Sequence, residues 1–182
     1  LCLGKIHDGY VVAAESCALD TVGAVYLRDV RPGEIVVIGE EGLSSYDAGH
    51  RDAHPPAHCI FEYVYLARPD STIDSVNVNL SRRRMGEVMA IETGAIDVDL
   101  VMSVPDSGTT AAIGYADGTN NHFSQGILKN RYAGRTFIQP TQSMRERTVQ
   151  LKLNPIRDEI EGRRIAVVDD SIVRGTTSRR LV

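Results

Sequence analysis

The sequence IAVVDDSIVRGTT, at residues 165–177, decides the fold class. Residues 165–168 are all apolar, which is typical of a strand buried on both faces of a parallel sheet. Asp169 and Asp170 follow at the carboxyl end of this strand, the edge where open α/β sheets bind ligands. The loop behind them offers hydroxyl groups, one cation and a glycine for a tight turn: Ser171, Arg174, Gly175, Thr176 and Thr177.

The two parts of this loop suit different parts of one ligand. Carboxylates suit ribose hydroxyls and a hard cation such as Mg²⁺. Backbone amides, hydroxyls and the N-terminus of the helix that follows suit a phosphate. The Asp-Asp pair alone is also compatible with an ordinary acidic turn, but the whole segment predicts a site for a phosphorylated ribose with Mg²⁺.

Upstream of this loop, predicted strands alternate with predicted helices from about residue 60. The strands cover 60–65, 98–104 and 165–168, and the helices cover 81–93, 109–116 and 154–161. We expect Ser81 to cap the first of these helices and Gly94 to end it. This alternation predicts a mostly parallel sheet covered on both faces.

Residues 1–46 have a different pattern, with short strands at 10–14 and 35–38 and no helical period of useful length. The polar segment 47–58 contains a Pro-Pro pair and is the predicted domain boundary. The chain has no initiating Met and stops early in the helix predicted after residue 177. We therefore expect a fragment, poorly folded or inactive alone because a parallel sheet would keep open edges.

The sequence VPDSGTT, at residues 104–110, repeats the strand–loop–helix plan. A compact turn at a helix start forms a nest of N–H groups for an anion. Asp106, Ser107 and Gly108 are thus candidates for holding pyrophosphate oxygens, with Ser107 near the metal. Simple N-capping by Ser107 or Thr109 is the alternative interpretation.

A basic segment at residues 129–147 carries five cations, Lys129, Arg131, Arg135, Arg145 and Arg147, against one acid, Glu146. Such a loop suits closure over a leaving pyrophosphate, whose developing charge Lys129 and Arg135 would stabilise. A solvated basic loop is the alternative. RNA binding is a third interpretation, but Tyr132 and Phe137 are too few aromatic residues for a stacking surface.

The composition argues against several classes of protein. A net charge of −4 argues against non-specific nucleic-acid binding. No apolar run approaches the ~20 residues that span a bilayer, and no signal peptide opens the chain. Three cysteines do not suggest a disulfide framework, so a reducing cytoplasm fits best.

The group His50, His54, His58 and Cys59 lacks the paired ligands of structural zinc sites. Cys59, like Cys2 and Cys17, is by default a buried small hydrophobe.

Together these residues resemble the glutamine-dependent amidophosphoribosyltransferase family along almost the whole chain. The segments that carry the resemblance are 10–24, 31–34, 59–71, 104–108, 126–140, 152–155 and 167–180. It implies a type I phosphoribosyltransferase-like parallel sheet with flanking helices over residues 58–182, truncated at its C-terminus. It also implies that residues 1–57 are the β-rich tail of an N-terminal-nucleophile glutaminase domain, whose nucleophilic cysteine lies upstream.

The resemblance implies a pentosyltransferase of purine synthesis. Ammonia freed from glutamine replaces the pyrophosphate of 5-phosphoribosyl 1-pyrophosphate, which gives 5-phosphoribosylamine in the first committed step. Asp169 and Asp170 match the acidic pair for ribose and Mg²⁺, residues 171–177 match the 5′-phosphate loop, and Ser107 matches a metal-associated position. Lys129 and Arg135 fall in a loop that orders over the substrate. Purine nucleotides would be feedback inhibitors of a homotetrameric parent.

Cys59 gains a second interpretation from the resemblance. Some members of the family hold a [4Fe–4S] cluster, and one of its four cysteine ligands occupies the position of Cys59. The other three would lie beyond residue 182. Two other functions remain open, a phosphoribosyltransferase of base salvage and a non-catalytic regulator that binds the sugar pyrophosphate.

Overall fold

The computed structural model describes residues 1–48, 57–130 and 153–172. The chain divides into two compact units, residues 1–81 and 82–182. This division reflects spatial contacts, so the family boundary predicted between residues 57 and 58 stays a prediction. Within the described ranges, no helix is long and apolar enough to cross a membrane.

The first unit opens with an antiparallel sheet of β1 (Cys2–Ile6), β2 (Gly9–Ala13) and β3 (Val25–Asp29), in the order β2-β1-β3. A second pair, β4 (Glu34–Gly39) and β5 (Gly42–Asp47), forms a hairpin. The strands predicted at 10–14 and 35–38 are therefore confirmed.

Helix α1 (Ser16–Val22) was not predicted, because seven residues are too few to show a helical period. Its Leu19 is fully buried and packs with Cys2 and Ala24 against the first sheet. Gly23 ends the helix in the left-handed conformation, at φ 71°.

The strand predicted at residues 60–65 is wrong, because Glu62–Leu66 forms a π-helical turn. The backbone satisfies its hydrogen bonds locally, with the Ala67 N–H donating to the Glu62 carbonyl at 3.0 Å. A short apolar run is compatible with either structure, so composition could not decide. Residues 68–71 form a turn, since the Ser71 N–H donates to the Arg68 carbonyl at 3.0 Å.

A two-stranded hairpin of β6 (Thr72–Ile73) and β7 (Val76–Asn77) leads into helix α2 (Val78–Thr93). This helix begins three residues before the predicted start. The Asn77 side-chain oxygen accepts a hydrogen bond from the Leu80 N–H at 3.0 Å, so Asn77 caps the helix and not Ser81. Gly94 follows the last turn at φ 68°, as predicted.

The second unit contains a parallel pair, β8 (Leu100–Ser103) and β11 (Ile165–Val168). Helix α3 (Thr109–Thr119) packs on it around buried Val101, Ala112 and Val168. The prediction of a fully buried β11 is only partly right, because Val168 is buried while residues 165–167 are half-buried.

Helices α2 and α3 approach each other closely through glycines. A β-carbon at Gly86 would clash with the Ala111 carbonyl oxygen, and one at Gly114 would clash with the Arg83 carbonyl oxygen. Glycine permits this distance because it has no side chain.

An antiparallel pair, β9 (Ile127–Lys129) and β10 (Leu153–Pro155), precedes helix α4 (Arg157–Ile160). A short helix is therefore confirmed within the predicted range 154–161, but it begins only at Arg157, because Asn154 and Pro155 belong to β10. Pro155 biases Asn154 towards an extended backbone, which delays the helix start.

Candidate functional site

The parallel pairing of β8 and β11 brings the two predicted ligand loops to the same edge of the sheet. Val168 is in register with Ser103, and the Val104 N–H donates to the Val168 carbonyl at 2.9 Å. The loops 104–108 and 169–172 thus leave the sheet side by side. This is the edge at which open α/β sheets bind ligands.

Gly108 lies directly against the end of β11. A β-carbon there would come within 3.0 Å of the carbonyl oxygens of both Val104 and Val168, and within 3.3 Å of the Asp169 Cα. The close approach of two backbones therefore requires glycine here. The sequence predicted this glycine only as part of an anion nest, and no local pattern revealed its contact with Asp169.

Hydrogen bonds from adjacent residues orient the two carboxylates of the acidic pair. One carboxylate oxygen of Asp169 accepts from the Asp170 N–H at 3.0 Å, and the Ser171 hydroxyl donates to Asp170 Oδ1 at 2.8 Å. Burial raises the pKa of the Asp169 carboxyl. The Asp170 N–H opposes this shift, and the neighbouring Asp170 carboxylate adds to it.

Asp170 Oδ2 is buried and has no hydrogen-bond partner among the described residues. A buried carboxylate oxygen without a donor or a cation costs free energy. Asp169 and Asp170 therefore fit a hard cation. In the described part of the chain, no group of three His, Cys, Asp or Glu residues is placed to hold a metal ion. Mg²⁺ does not need such a group, because it usually combines one or two carboxylates with water and substrate oxygens.

The second loop carries Ser107 at the same edge and starts α3. The N-cap position is Gly108, without a side-chain cap, so neither Ser107 nor Thr109 occupies it. The Thr109 hydroxyl lies 3.1 Å from the Ser103 hydroxyl instead. The peptide bond between Pro105 and Asp106 is cis.

Lys129, the last residue of β9, reaches this second loop. Its Nζ donates to Asp106 Oδ2 at 2.5 Å, and both side chains are exposed, at 46% for Lys129 and 75% for Asp106. A cation is thus already present beside the loop that was predicted to hold pyrophosphate. The sequence placed the two residues in separate motifs and did not predict their contact.

Several predicted site residues lie outside the described residues, and their roles stay predictions. They are Arg135, Arg174, Gly175, Thr176 and Thr177, with most of the basic segment and with His50 and His54. His58 is described, and its Nδ1 lies 3.1 Å from Asp74 Oδ2.

The three cysteines have free thiols in two different environments. Cys2 and Cys17 are buried as predicted, and burial raises the pKa of the Cys2 thiol to about 11. The default prediction of a buried Cys59 is wrong, because Cys59 is exposed just before the π-helical turn. An exposed thiol is accessible to a metal or another ligand.

The described geometry is that of a mixed α/β protein with a candidate ligand site at the carboxyl edge of parallel strands. No protein-family model matches the chain. Over 182 residues, however, it is 51% identical to the amidophosphoribosyltransferase of Archaeoglobus fulgidus and 50% identical to that of Bacillus subtilis. Both alignments cover 100% of this chain, but only 39% and 38% of those proteins.

Solved structures show the same relationship. The Bacillus subtilis glutamine phosphoribosylpyrophosphate amidotransferase complexed with ADP and GMP matches 98% of this chain and 39% of its own, with a TM-score of 0.87 and 50% identity. A structure described as the allosteric regulatory enzyme of purine biosynthesis matches 99% of this chain and 38% of its own, with a TM-score of 0.86 and 49% identity. The chain belongs to the amidophosphoribosyltransferase family and spans about two fifths of the length of these relatives.

Proposed function

We propose that the protein containing this chain is an amidophosphoribosyltransferase. It would convert 5-phosphoribosyl 1-pyrophosphate and glutamine-derived ammonia to 5-phosphoribosylamine, pyrophosphate and glutamate. The observation that carries this proposal is the meeting of loops 104–108 and 169–172 at one sheet edge. Identity of about half to named amidophosphoribosyltransferases supports it.

The acidic pair would hold the ribose end of the substrate. Asp169 and Asp170 offer acceptors for the two ribose hydroxyls and for Mg²⁺, and the unpartnered Asp170 Oδ2 supports this role. Ser171 and the residues that follow, including Arg174, Gly175, Thr176 and Thr177, would bind the 5′-phosphate. When bound, Mg²⁺ would supply positive charge to the pyrophosphate oxygens.

The second loop would hold the pyrophosphate group. Ser107 and Gly108 offer a hydroxyl and backbone N–H groups, and Lys129 supplies a cation beside them. Charge develops on the leaving pyrophosphate as the glycosidic bond breaks, so fixed donors at this position would stabilise the transition state. Arg135 would contribute in the same way.

The finer fold assignment is part of the proposal. Residues 58–182 would form a truncated type I phosphoribosyltransferase-like domain, for which the parallel pair β8–β11 gives support. Residues 1–57 would form the tail of the glutaminase domain, for which the antiparallel strands β1–β5 give support. Purine nucleotides are proposed as feedback ligands of a tetrameric parent, since one similar structure was determined with ADP and GMP.

A comparison of acceptors tests the proposed reaction in the full-length parent. Pyrophosphate release from 5-phosphoribosyl 1-pyrophosphate would be measured with Mg²⁺ and either glutamine, ammonia, or a purine or pyrimidine base. We expect glutamine and ammonia to support release and the bases to fail. Release driven by a base would identify a salvage enzyme. Tight binding of the sugar pyrophosphate without turnover would identify a regulator.

Cluster ligation by Cys59 is a separate proposal for the parent protein. The exposed thiol is accessible to a cluster, and it would supply one of the four cysteine ligands that such a cluster takes. The iron and acid-labile sulfide content of the purified parent would be compared with that of its Cys59→Ser variant. We expect four irons per chain in the parent and loss of iron in the variant. Equal iron content in both proteins would remove Cys59 from the ligand set.

A further inference from the structure

Asp106 was predicted, with Ser107 and Gly108, to hold pyrophosphate oxygens, but its carboxylate is an unexpected group in a loop that binds an anion. Its neighbours Ser107 and Gly108 offer groups that attract an anion, whereas its carboxylate repels one. The side chain is 75% exposed, so it has no role in the core. Its charge therefore needs another explanation.

The explanation lies in Lys129, whose Nζ donates to Asp106 Oδ2 at 2.5 Å. The backbone of Lys129 is fixed by the pairing of β9 with β10, in register with Leu153. Only its four-carbon stem and ammonium group are free to turn. Because the ammonium reaches the loop at Asp106, it also reaches an anion bound in that loop.

The ion pair between Arg28 and Glu34 differs from that of Lys129 and Asp106, and its surroundings are typical of a pair that stabilises the fold. The Glu34 carboxylate is 1% exposed and accepts from the Arg28 guanidinium, the Ser45 hydroxyl and the Arg31 N–H. These donors hold the pKa of Glu34 well below its usual range. The Asp106 carboxylate has one recorded donor among the described residues, and both partners are exposed. Such pairs are weak and are screened by salt.

We infer that Asp106 is a placeholder anion, which holds Lys129 beside the loop until the pyrophosphate group of the substrate displaces it. The inference rests on the proposed function and adds a positioning role for Asp106. Pyrophosphate carries more negative charge than one carboxylate, so it competes successfully for the ammonium group. Because the exposed pair is weak, little free energy is lost when the Lys129 ammonium group leaves the Asp106 carboxylate for pyrophosphate. Asp106 thus keeps the Lys129 ammonium group beside the loop where pyrophosphate would bind, but does not bind the substrate itself.

A double-mutant cycle in the full-length parent tests this inference. The variants are Asp106→Asn, Lys129→Gln and the combination of both. Asp158→Asn is the matched control, because it removes one exposed carboxylate of α4. Binding of inorganic pyrophosphate would be measured by calorimetry at low and high salt. The inhibition constant of pyrophosphate would be measured in the ammonia-dependent reaction.

We expect Asp106→Asn to tighten pyrophosphate binding roughly two- to fivefold, the range of an exposed ion pair. In the Lys129→Gln background the same change should tighten binding less, because only the direct repulsion between Asp106 and pyrophosphate remains. High salt should reduce the tightening in both backgrounds. Equal tightening with and without Lys129 would show simple repulsion and overturn the inference. So would weaker binding in Asp106→Asn, which would show that Asp106 itself holds the ligand or its metal.

The activity assay and the calorimetric cycle can fail independently, so the placeholder role and the proposed function are tested separately. If the parent protein releases no pyrophosphate with ammonia, the proposed reaction fails. The calorimetric cycle still decides whether Asp106 and Lys129 compete in this way. If turnover is normal but the cycle shows no coupling between the two residues, only the placeholder role fails.

Discussion

A β-carbon on Gly108 would lie 3.3 Å from the Cα of Asp169, so the two proposed ligand loops, 104–108 and 169–172, are in direct backbone contact. The same atom would lie 3.0 Å from the Val168 carbonyl oxygen, which is backbone and cannot turn aside. The distance between the loops is therefore set by the absence of a side chain at position 108. A substrate bound between both loops, as proposed, would depend on that distance.

The first prediction is that Gly108→Ala impairs catalysis in the full-length parent. The added methyl group must push the loops apart by a few tenths of an ångström, and small misplacements of reacting groups are costly. We expect kcat/KM for the sugar pyrophosphate to fall roughly tenfold or more, in the ammonia-dependent assay. Gly39→Ala is the control, since a β-carbon there meets nothing within 4 Å. Wild-type kcat/KM in Gly108→Ala would refute the bridging role.

The second prediction concerns Asp169 and pH. Burial raises its pKa above the ordinary value of 3.8, so the folded protein binds this proton more tightly than the unfolded chain. Ionisation of Asp169 therefore costs stability, and the cost appears as pH rises through the folded pKa. An uncharged asparagine side chain at this position avoids the cost. We expect Asp169→Asn to be at least as stable as the wild type at pH 7.

Urea denaturation of both proteins between pH 8 and pH 4 would check this. The advantage of the variant should shrink as the pH falls and the wild-type carboxyl takes up its proton. A wild-type protein that is clearly more stable at pH 7 would mean that Asp169 stabilises the fold instead of serving a ligand. Functional residues often carry such a cost in stability.

The third prediction concerns the contact of α2 with α3. Gly86→Ala places a methyl group into the Ala111 carbonyl oxygen, and the helices must separate to accommodate it. We expect a loss of about 3 kcal/mol or more, at the upper end of overpacking effects. Gly39→Ala, measured in the same way by urea denaturation, should change the free energy of unfolding little. Equal effects of the two substitutions would argue against the close helix contact.

The fourth prediction concerns Glu15, whose Oε2 accepts from the Arg68 N–H at 2.9 Å and from the Ser71 hydroxyl at 2.7 Å. Ser71 is fully buried, so its hydroxyl cannot turn to water. We expect Glu15→Ala to cost about 1–3 kcal/mol by leaving these donors without an acceptor. Glu15→Gln keeps an oxygen at this position and should cost less. Thermal unfolding of both variants would check the order, and a reversed order would contradict the role of this contact.

The parts of the fold that the sequence predicted are those with a strong local pattern. The apolar run 165–168 lacks polar alternation, and the strand has the predicted bounds. Helix α3 follows a loop whose glycine and hydroxyl residues mark a helix start. The helix end at Gly94 was predicted because a left-handed residue there favours glycine.

The parts that the sequence missed depend on contacts between distant residues. The run 60–65 has the composition of a strand, but Tyr63 donates its hydroxyl to the Ile73 carbonyl and the backbone closes into a π-helical turn. Helix α1 is too short for a period, and burial of Leu19 stabilises it.

Within the site, the sequence predicted both loops but not their contacts. Lys129 and Asp106 are 23 positions apart, and each belongs to a motif of its own. Their pairing depends on the path of β9, which no local pattern describes. The same is true of Gly108 and Asp169, which meet only because β8 and β11 are parallel neighbours.

The most direct test of the central claim is the ammonia-dependent reaction of the full-length parent carrying Asp169→Asn. Free ammonia bypasses the glutaminase reaction, so the assay reports on the sugar-pyrophosphate site alone. If Asp169 holds the ribose and its Mg²⁺, phosphoribosylamine formation should be abolished with glutamine and with ammonia alike, in a protein that remains folded. A variant that keeps its ammonia-driven rate would contradict the site proposed at this sheet edge.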